Sequence, residues 1–418
     1  MRFLMVGDAF PWPPTTGSHL RMANTVRALS EMGKVDLFCF YDARQAQESV
    51  PPEFGIWRIC MVPLGPSGDT PARRLVSLAR RDLPLEVAFR NGNQNPRHVF
   101  DSWRASSYDL VWLSSATSYQ WLGRPRLGPT VVDVCDLADV KERQRADLIG
   151  KRPAHDAAAR LRRVAAVAQA RINAADWSRF QRSVASEVDR VVLASETDVP
   201  LFGVENCDVV PNTYERPDHP AGHDVPLRPP TMLLQGTFDY APNVDGARWL
   251  VEELAPAIRT KLPDLQIRIV GKTTGSVDTL AEPPLVTVVG KVPRMEPELG
   301  RADLVVVPLR MGSGTRLKIL EAFAHRVPVV STPLGAEGLA AVDGVHLVLA
   351  DRPESFAEAC ARLCNDLDFR RRLVDAARGL FEERYESKVA RDRIRQVVGS
   401  LTTSGRTASA STRPQAGG

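Results

Sequence analysis

The stretch from Asp303 to Gly338 constrains the fold more than any other part of the chain. The β-branched run Leu304–Val307 predicts a buried strand, and Leu317–His325 has the apolar spacing of a helix. The glycine-containing loop Met311–Arg316 lies between them, and Val327–Ser331 predicts a second buried strand. This order is typical of a parallel α/β sheet, and such a loop presents backbone N–H groups and a helix N-terminus to an anion.

Charged residues at the start of the predicted helix indicate what the loop binds. Arg316 and Lys318 lie where the helix opens, and Glu321 follows within one turn. Two cations at a helix N-terminus oppose the helix dipole and cost stability unless an anion is bound there. We therefore expect a phosphate ligand, with Glu321 accepting from hydroxyl groups beside it. The loop residues expected to contribute are Gly312, Ser313, Gly314 and Thr315.

The same stretch resembles the signature of GT4-type retaining glycosyltransferases, which have the GT-B fold. That signature reads roughly E-G-F-G-L-P-x-L-E-A, followed by G-x-P-V-V, and the triplets Leu320-Glu321-Ala322 and Pro328-Val329-Val330 match it. The resemblance implies that Glu321 binds the ribose of a nucleotide sugar. The other Glu of the family pair, a contact to the donor sugar, is replaced by Ser313, so the donor stays open. A Rossmann-like turn without a ligand is the alternative.

Composition excludes several other classes of protein. A chain of 418 residues is comfortable for two domains, and a net charge of +4 does not indicate a nucleic-acid partner. The six cysteines are scattered without a CxxC pair, which favours reduced thiols, a cytoplasmic location and no metal site. The apolar run Phe3–Val6 is too short for a signal peptide, and no stretch reaches the length of a membrane span.

Short apolar runs alternate with helical patterns in both halves of the chain, which predicts two Rossmann-like, doubly wound parallel sheets. This is an α/β fold of the GT-B type that the resemblance implies. The expected domains are an acceptor-binding domain at 1–213, a proline-rich linker at 214–230 and a nucleotide-sugar-binding domain at 231–385. A helix at 386–401 follows, which in GT-B proteins crosses back to the first domain, and 402–418 reads as a disordered tail.

Two positions in the first half are candidates for ligand contacts. Gly17 precedes a helix for which Ser18 is the expected N-cap, and the resemblance places this loop near donor phosphate or acceptor. An ordinary proline-rich connection is the alternative. Asp136 follows a predicted strand, Thr130–Val134, at the end where open α/β sheets bind ligands. Its surrounding Asp-rich turn resembles a bacterial exopolysaccharide-type subgroup, so we expect a contact with donor sugar or acceptor hydroxyl, or else a helix cap.

The second half lacks two cations that the family normally has. GT4 members carry an Arg directly after the glycine that corresponds to Gly236, and a Lys a few residues further on, both on the donor diphosphate. This chain has Thr237 and then Pro242 or Asn243 at those places. We infer that the charge has moved to Arg316 and Lys318 across the same pocket. Gly236, Thr237 and Lys272 are further donor-binding candidates, and for Lys272 a solvated loop lysine is the alternative.

Two basic segments predict contact with an anionic membrane surface. Pro71–Leu83 has the pattern of a short basic amphipathic helix. Lys141–Arg171 contains nine Lys or Arg residues against three acidic ones. A solvated face is the alternative for both. The expected location is therefore the cytoplasm, and attachment to the inner face of the plasma membrane follows if these segments bind lipid.

The resemblance implies transfer of a sugar from a nucleotide-sugar donor to an acceptor hydroxyl, with retention at the anomeric carbon, as in polysaccharide biosynthesis. Arg316 and Lys318 would stabilise the charge on the leaving diphosphate, which can accept the proton of the acceptor. The acceptor is open between a glycan, a lipid-linked compound and a small molecule. We expect no cofactor, no required metal and no nucleic acid. The alternatives are a nucleotide-sugar epimerase and a non-catalytic binding protein; a nicotinamide dehydrogenase is disfavoured because Leu317 occupies the third glycine position.

Overall fold

The computed structural model describes residues 1–14, 16–42, 50–64, 83–84, 87, 95–151, 156–312 and 316–410. The predicted basic helix Pro71–Leu83, apart from Leu83, lies outside these residues, and so do Ser313, Gly314 and Thr315. The chain divides into two compact units. Unit 1 is Met1–Asn212 together with the chain from Lys388 onward, and unit 2 is Thr213–Ser387.

Unit 1 is built on a seven-stranded parallel sheet with the order β3-β2-β1-β4-β5-β6-β7. The side chains of β1 alternate between two apolar clusters, since Leu4 and Val6 lie in one and Phe3 and Met5 in the other. Both faces of the sheet are therefore covered. The strands are β1 (Arg2–Gly7), β2 (Lys34–Asp42), β3 (Ile56–Leu64), β4 (Leu110–Leu113), β5 (Thr130–Val134), β6 (Arg190–Leu193) and β7 (Cys207–Val209).

The helices of unit 1 connect these strands, and a last helix returns from the end of the chain. Ala390, Ile394 and Val397 of that helix pack into the cluster that contains Phe3 and Met5. The described helices are α1 (Gly17–Ser30), α2 (Pro96–Trp103), α3 (Ala116–Trp121), α4 (Ala138–Lys151), α5 (Ala157–Ala185), α6 (Asp198–Phe202) and the last helix, α13 (Ser387–Ala410).

Unit 2 contains a six-stranded parallel sheet with the order β10-β9-β8-β11-β12-β13. Its strands are β8 (Thr231–Gln235), β9 (Gln266–Val270), β10 (Val286–Gly290), β11 (Leu304–Val307), β12 (Val329–Ser331) and β13 (Val348–Leu349). Its helices are α7 (Ala241–Trp249), continued by a π-helical turn (Leu250–Leu254), α8 (Ala255–Arg259), α9 (Glu296–Leu299), α10 (Leu317–Ala324), α11 (Pro353–Asn365) and α12 (Leu367–Arg384). Alternate residues of β8 and β11 again point into different clusters.

These two sheets confirm the predicted α/β fold class. Helix α13 continues to Ala410, beyond residue 401, where the sequence predicts that the last helix ends. The apolar pattern ends near Leu401, but extending an existing helix needs no new nucleation, so a polar sequence can continue it. Thr402 follows this geometry, with its hydroxyl donating to the Val398 carbonyl at 2.9 Å. Residues 411–418 lie outside the described part of the chain.

The segment 214–230, expected as a linker, is packed against unit 2. Its backbone N–H groups donate to residues of that unit, among them Tyr214 to the Tyr385 carbonyl at 3.0 Å, Gly222 to the His325 carbonyl at 2.8 Å and Leu227 to Asp303 Oδ1 at 2.6 Å. The five prolines of the segment prevent regular secondary structure but not these contacts. The segment is thus an ordered part of unit 2.

Candidate functional site

The candidate site of unit 2 lies where the strand order of its sheet reverses. β8 and β11 are neighbours at the centre of that order, and the chain runs outward from them in opposite directions. The loops that follow these two strands contain Gly236 and Gly312. In open α/β sheets this place, at the carboxyl ends of the strands, is where ligands bind.

The Gly236 loop folds back closely on the start of helix α7. A Cβ atom at Gly236 would lie 2.8 Å from Asn243 Nδ2, which is too close for a larger residue. Asn243 Nδ2 donates to the carbonyl of Thr237 at 2.9 Å, and the Thr237 side chain is exposed. Asn243 is therefore held with its other side-chain atom, Oδ1, available to a neighbouring donor.

That donor is Lys318, in the first turn of helix α10. Its Nζ donates to Asn243 Oδ1 at 2.9 Å. Burial, and after it the nearby charge of Arg316, together lower the pKa of Lys318 to about 7. An amine that loses its charge because no anion is near can regain it when an anion binds.

Arg316 is buried beside Lys318, with 7% of its surface exposed. Its Nη2 donates to the carbonyl of Gly312 at 2.5 Å and to the carbonyl of Leu334 at 3.3 Å. Gly312 has a φ of +109°, a conformation that favours glycine. Arg316 therefore fixes the Gly312 loop. The sequence alone predicts instead that this guanidinium binds the diphosphate together with Lys318.

Glu321 is half-buried and has two protein donors. Tyr214 donates its hydroxyl to Oε1 at 2.8 Å, and Gln235 Nε2 donates to Oε2 at 3.0 Å. Burial raises the pKa of Glu321, whereas these two hydrogen bonds act in the opposite direction. A carboxylate offers about four acceptor positions, so each oxygen keeps the capacity for one further donor.

Lys272 is on the surface of unit 2. Its Nζ lies 2.9 Å from Asp239 Oδ2, and 62% of its side chain is exposed. The hydrogen bond from Lys272 is the main reason that the pKa of Asp239 is lowered. Lys272 is thus a surface lysine paired with Asp239, and its role in donor binding stays a prediction.

Gly17 and Asp136 belong to unit 1. Gly17 is the first residue of α1, and Thr16, not the expected Ser18, is the N-cap, accepting from the His19 backbone N–H at 3.3 Å. Asp136 is exposed and follows β5, and its backbone carbonyl accepts from Gln181 Nε2 at 3.2 Å. Both residues therefore lie at the carboxyl end of the first sheet.

Comparison with known proteins assigns the second unit. Residues 229–366 match the family described as Glycosyl transferases group 1. Unit 2 contains a glycosyltransferase domain. The matched range includes Gly236, Asn243, Arg316, Lys318 and Glu321, so the site just described lies inside this domain.

Three similar proteins place the whole chain in context. It is 23% identical over 225 residues, 50% of its own length and 58% of the other protein, to an uncharacterized 44.6 kDa protein in the cps region of Klebsiella pneumoniae. It resembles sucrose-phosphate synthase from Thermosynechococcus elongatus, with a TM-score of 0.69 and 16% identity over 97% of this chain and 100% of that one. It also resembles Alr3699/HepE of Anabaena, which was solved with UDP and glucose. That comparison has a TM-score of 0.61 and 14% identity, and it covers 95% of this chain and 99% of the other. These likenesses show the GT-B fold.

Two residues of unit 2 that contact Glu321 are not predicted from the sequence. Gln235 ends the apolar strand β8, and a polar residue at that end was a signal that could have been used. Tyr214 gave no such signal, because it lies in the segment expected as a linker. Within the described residues, no group of three His, Cys, Asp or Glu side chains could hold a metal ion. No helix in that part of the chain is long and apolar enough to cross a membrane.

Proposed function

We propose that this protein is a GT4-type retaining glycosyltransferase, which transfers a sugar from a nucleotide-diphosphate-sugar donor to an acceptor hydroxyl. The family match of residues 229–366 supports sugar transfer. HepE, which has a similar fold, was solved with UDP and glucose, and this supports a nucleotide-sugar donor. The observation that carries the proposal is the contact between Lys318 and Asn243.

This contact brings a cation to the Gly236 loop, which lacks the diphosphate-binding cations that GT4 members have there. The GT4 resemblance expects a diphosphate-binding Lys near Pro242 and Asn243. Lys318 Nζ lies 2.9 Å from Asn243 Oδ1, so the amine reaches this loop from the neighbouring helix α10. A donor diphosphate at the start of α10 would also meet the positive end of the helix dipole. Lys318 then replaces the missing lysine, and Arg316 positions the Gly312 loop beside it.

The proposed chemistry needs few protein groups. The bond between the anomeric carbon and the diphosphate breaks, and the acceptor oxygen forms a new bond to that carbon on the same face. The acceptor proton passes to the departing phosphate oxygen. Lys318, the loop N–H groups and the helix dipole stabilise the charge that the diphosphate gains, and this electrostatic effect is the main contribution of the protein. The mechanism calls for no cofactor.

Glu321 provides the first test, through the ribose of the nucleotide. A thermal-shift screen of UDP, GDP, ADP and CDP identifies the nucleotide that stabilises the folded chain. Calorimetric titration then compares wild type with Glu321→Gln, for which we expect dissociation constants higher by a few-fold to about hundredfold, because a charged acceptor is lost. Glu358→Gln, an exposed residue on α11, is the matched control. Equal affinities for wild type and Glu321→Gln would make Glu321 a structural residue.

The biological setting follows from the relative in a cps region. We propose a role in polysaccharide biosynthesis, with a glycan or lipid-linked acceptor. We also propose a membrane-binding surface in unit 1, which would bring the chain to a lipid-linked acceptor.

Helix α5 provides such a surface. Leu161, Val164 and Ile172 have 72%, 61% and 51% of their surface exposed, and their spacing places them on one side of the helix. Residues Ala157–Ala175 contain four arginines and no acidic residue. An apolar stripe flanked by cations is typical of helices that lie on anionic lipid.

We expect vesicles that contain anionic phosphatidylserine to bind the chain at low salt and neutral vesicles to bind it much less. Each arginine contributes about 1 kcal/mol near such a surface. The triple variant Leu161→Ser, Val164→Ser, Ile172→Ser should abolish co-sedimentation, whereas Leu201→Ser, 52% exposed on α6, should not. Equal and negligible binding of wild type to both vesicle types would contradict the proposal.

A further inference from the structure

A cavity of about 220 Å³ lies inside unit 1, at the point where its strand order reverses. β1 and β4 are neighbours there, with β2 and β3 on one side and β5 to β7 on the other. The cavity is lined by residues that follow β1, β4 and β5 and by residues of helices α1 and α5. At about 30 Å³ per water molecule it has room for roughly seven waters, or one monosaccharide ring.

The charged side chains that line this switch-point cavity are mostly acidic. Asp8, Asp133 and Asp136 contribute three carboxyl groups, against one guanidinium from Arg21. Ser18, Ser114, Ser115 and Thr117 add hydroxyl groups, and Trp177 adds an aromatic ring. Carboxylates and amides that accept from hydroxyls, beside an aromatic wall, suit a sugar.

Arg21 and Gln181 show that the cavity has unmet hydrogen-bonding capacity. Arg21 is 7% exposed, and it donates from Nε to Asp133 Oδ2 at 2.7 Å and from Nη1 to the Val210 carbonyl at 2.6 Å. Its Nη2 is buried and has no hydrogen-bond partner among the described residues. Gln181 Oε1, on helix α5, is likewise buried and has no hydrogen-bond partner among the described residues. Buried polar atoms normally have a hydrogen-bond partner. An unpaired donor and an unpaired acceptor in one cavity therefore indicate a ligand that can both accept and donate hydrogen bonds.

We propose that the switch-point cavity binds the acceptor as an uncharged sugar, with its hydroxyl groups donating to Asp136 and Gln181 and accepting from Arg21. The inference rests on the proposed function and adds the chemical class of the acceptor. The ion pair between Arg21 and Asp133 offsets one carboxylate, and Asp8 and Asp136 keep the cavity acidic. A phosphorylated sugar would place like charges together, so the cavity selects against it.

Saturation-transfer NMR on the full chain tests this class. The probes are methyl glucoside, methyl galactoside, methyl N-acetylglucosaminide and glucose 6-phosphate, each with a saturating amount of the nucleotide chosen by the thermal-shift screen. We expect a methyl glycoside to bind, and we expect the affinity for glucose 6-phosphate to be lower by about tenfold or more. Asp136→Asn should reduce that preference several-fold, whereas Asp101→Asn, on α2, should leave it unchanged.

Nucleotide affinity separates this inference from the proposed function. Asp136→Asn should bind the nucleotide as wild type does, since the proposed nucleotide site is in unit 2. Nucleotide binding without any glycoside binding would overturn the inference, and so would equal binding of glucose 6-phosphate and methyl glucoside or a preference untouched by Asp136→Asn. Displacement of the glycoside by a nucleotide sugar but not by the nucleotide would assign the cavity to the donor sugar instead. Failure of every nucleotide to bind would refute the proposed function and this inference with it.

Discussion

Replacing Lys318 by methionine is expected to lower the turnover of the nucleotide sugar by about 100- to 1000-fold, because one preorganised donor to the developing charge is lost. Methionine keeps most of the length of the side chain but cannot donate to Asn243 or to a diphosphate. Ground-state affinity for the nucleotide should fall much less, since the charge on the diphosphate grows as the sugar leaves. Release of the nucleoside diphosphate measures turnover, and calorimetry measures affinity.

The control for this variant is Lys261→Met, which removes an exposed lysine from the same unit. Its turnover should match wild type. The variant Lys318→Met should remain folded, because removing a buried amine whose charge is disfavoured takes away an unfavourable group. Turnover near the wild-type rate in Lys318→Met would contradict the assignment and return the phosphate site to the Gly17 loop or Lys272.

The elements of the fold were largely predictable from the sequence. Runs such as Leu304–Val307 are β-branched, short and bounded by turn residues, and both faces of a parallel sheet are buried, so the strands stand out. The two-residue strand Val348–Leu349 was not predictable in this way. It has too few residues to show a pattern, and it exists because β12 offers a free edge for pairing.

The candidate site was predictable in its location but not in its internal contacts. Two cations beside a helix start indicated an anion site, yet both charges looked equivalent in the sequence. In the structure Arg316 bonds to loop carbonyls and Lys318 bonds to Asn243, which is 75 residues away. The partners of Glu321 are also distant, at 107 residues for Tyr214 and 86 for Gln235. Only the folded chain brings these groups together, and local spacing contains no information about them.

The proton balance of nucleotide binding tests the central claim, that Lys318 is the cation for the donor diphosphate. Burial places the pKa of Lys318 at about 7, below the ordinary value near 10.4, so at pH 8 about nine in ten amines are neutral. The neighbouring Arg316 favours the neutral form, whereas a bound diphosphate favours the charged form and raises the pKa again. The phosphate of the ligand, with a pKa near 6, is already ionised at pH 8 and takes up no proton.

The measurement is calorimetric titration at pH 8 in two buffers with different enthalpies of ionisation. If Lys318 binds the diphosphate, wild type takes up close to one proton per nucleotide, and the observed enthalpy differs between the buffers by the matching amount. The Lys318→Met variant should show no such difference. Binding by wild type without proton uptake, or an equal uptake by Lys318→Met, would contradict the claim.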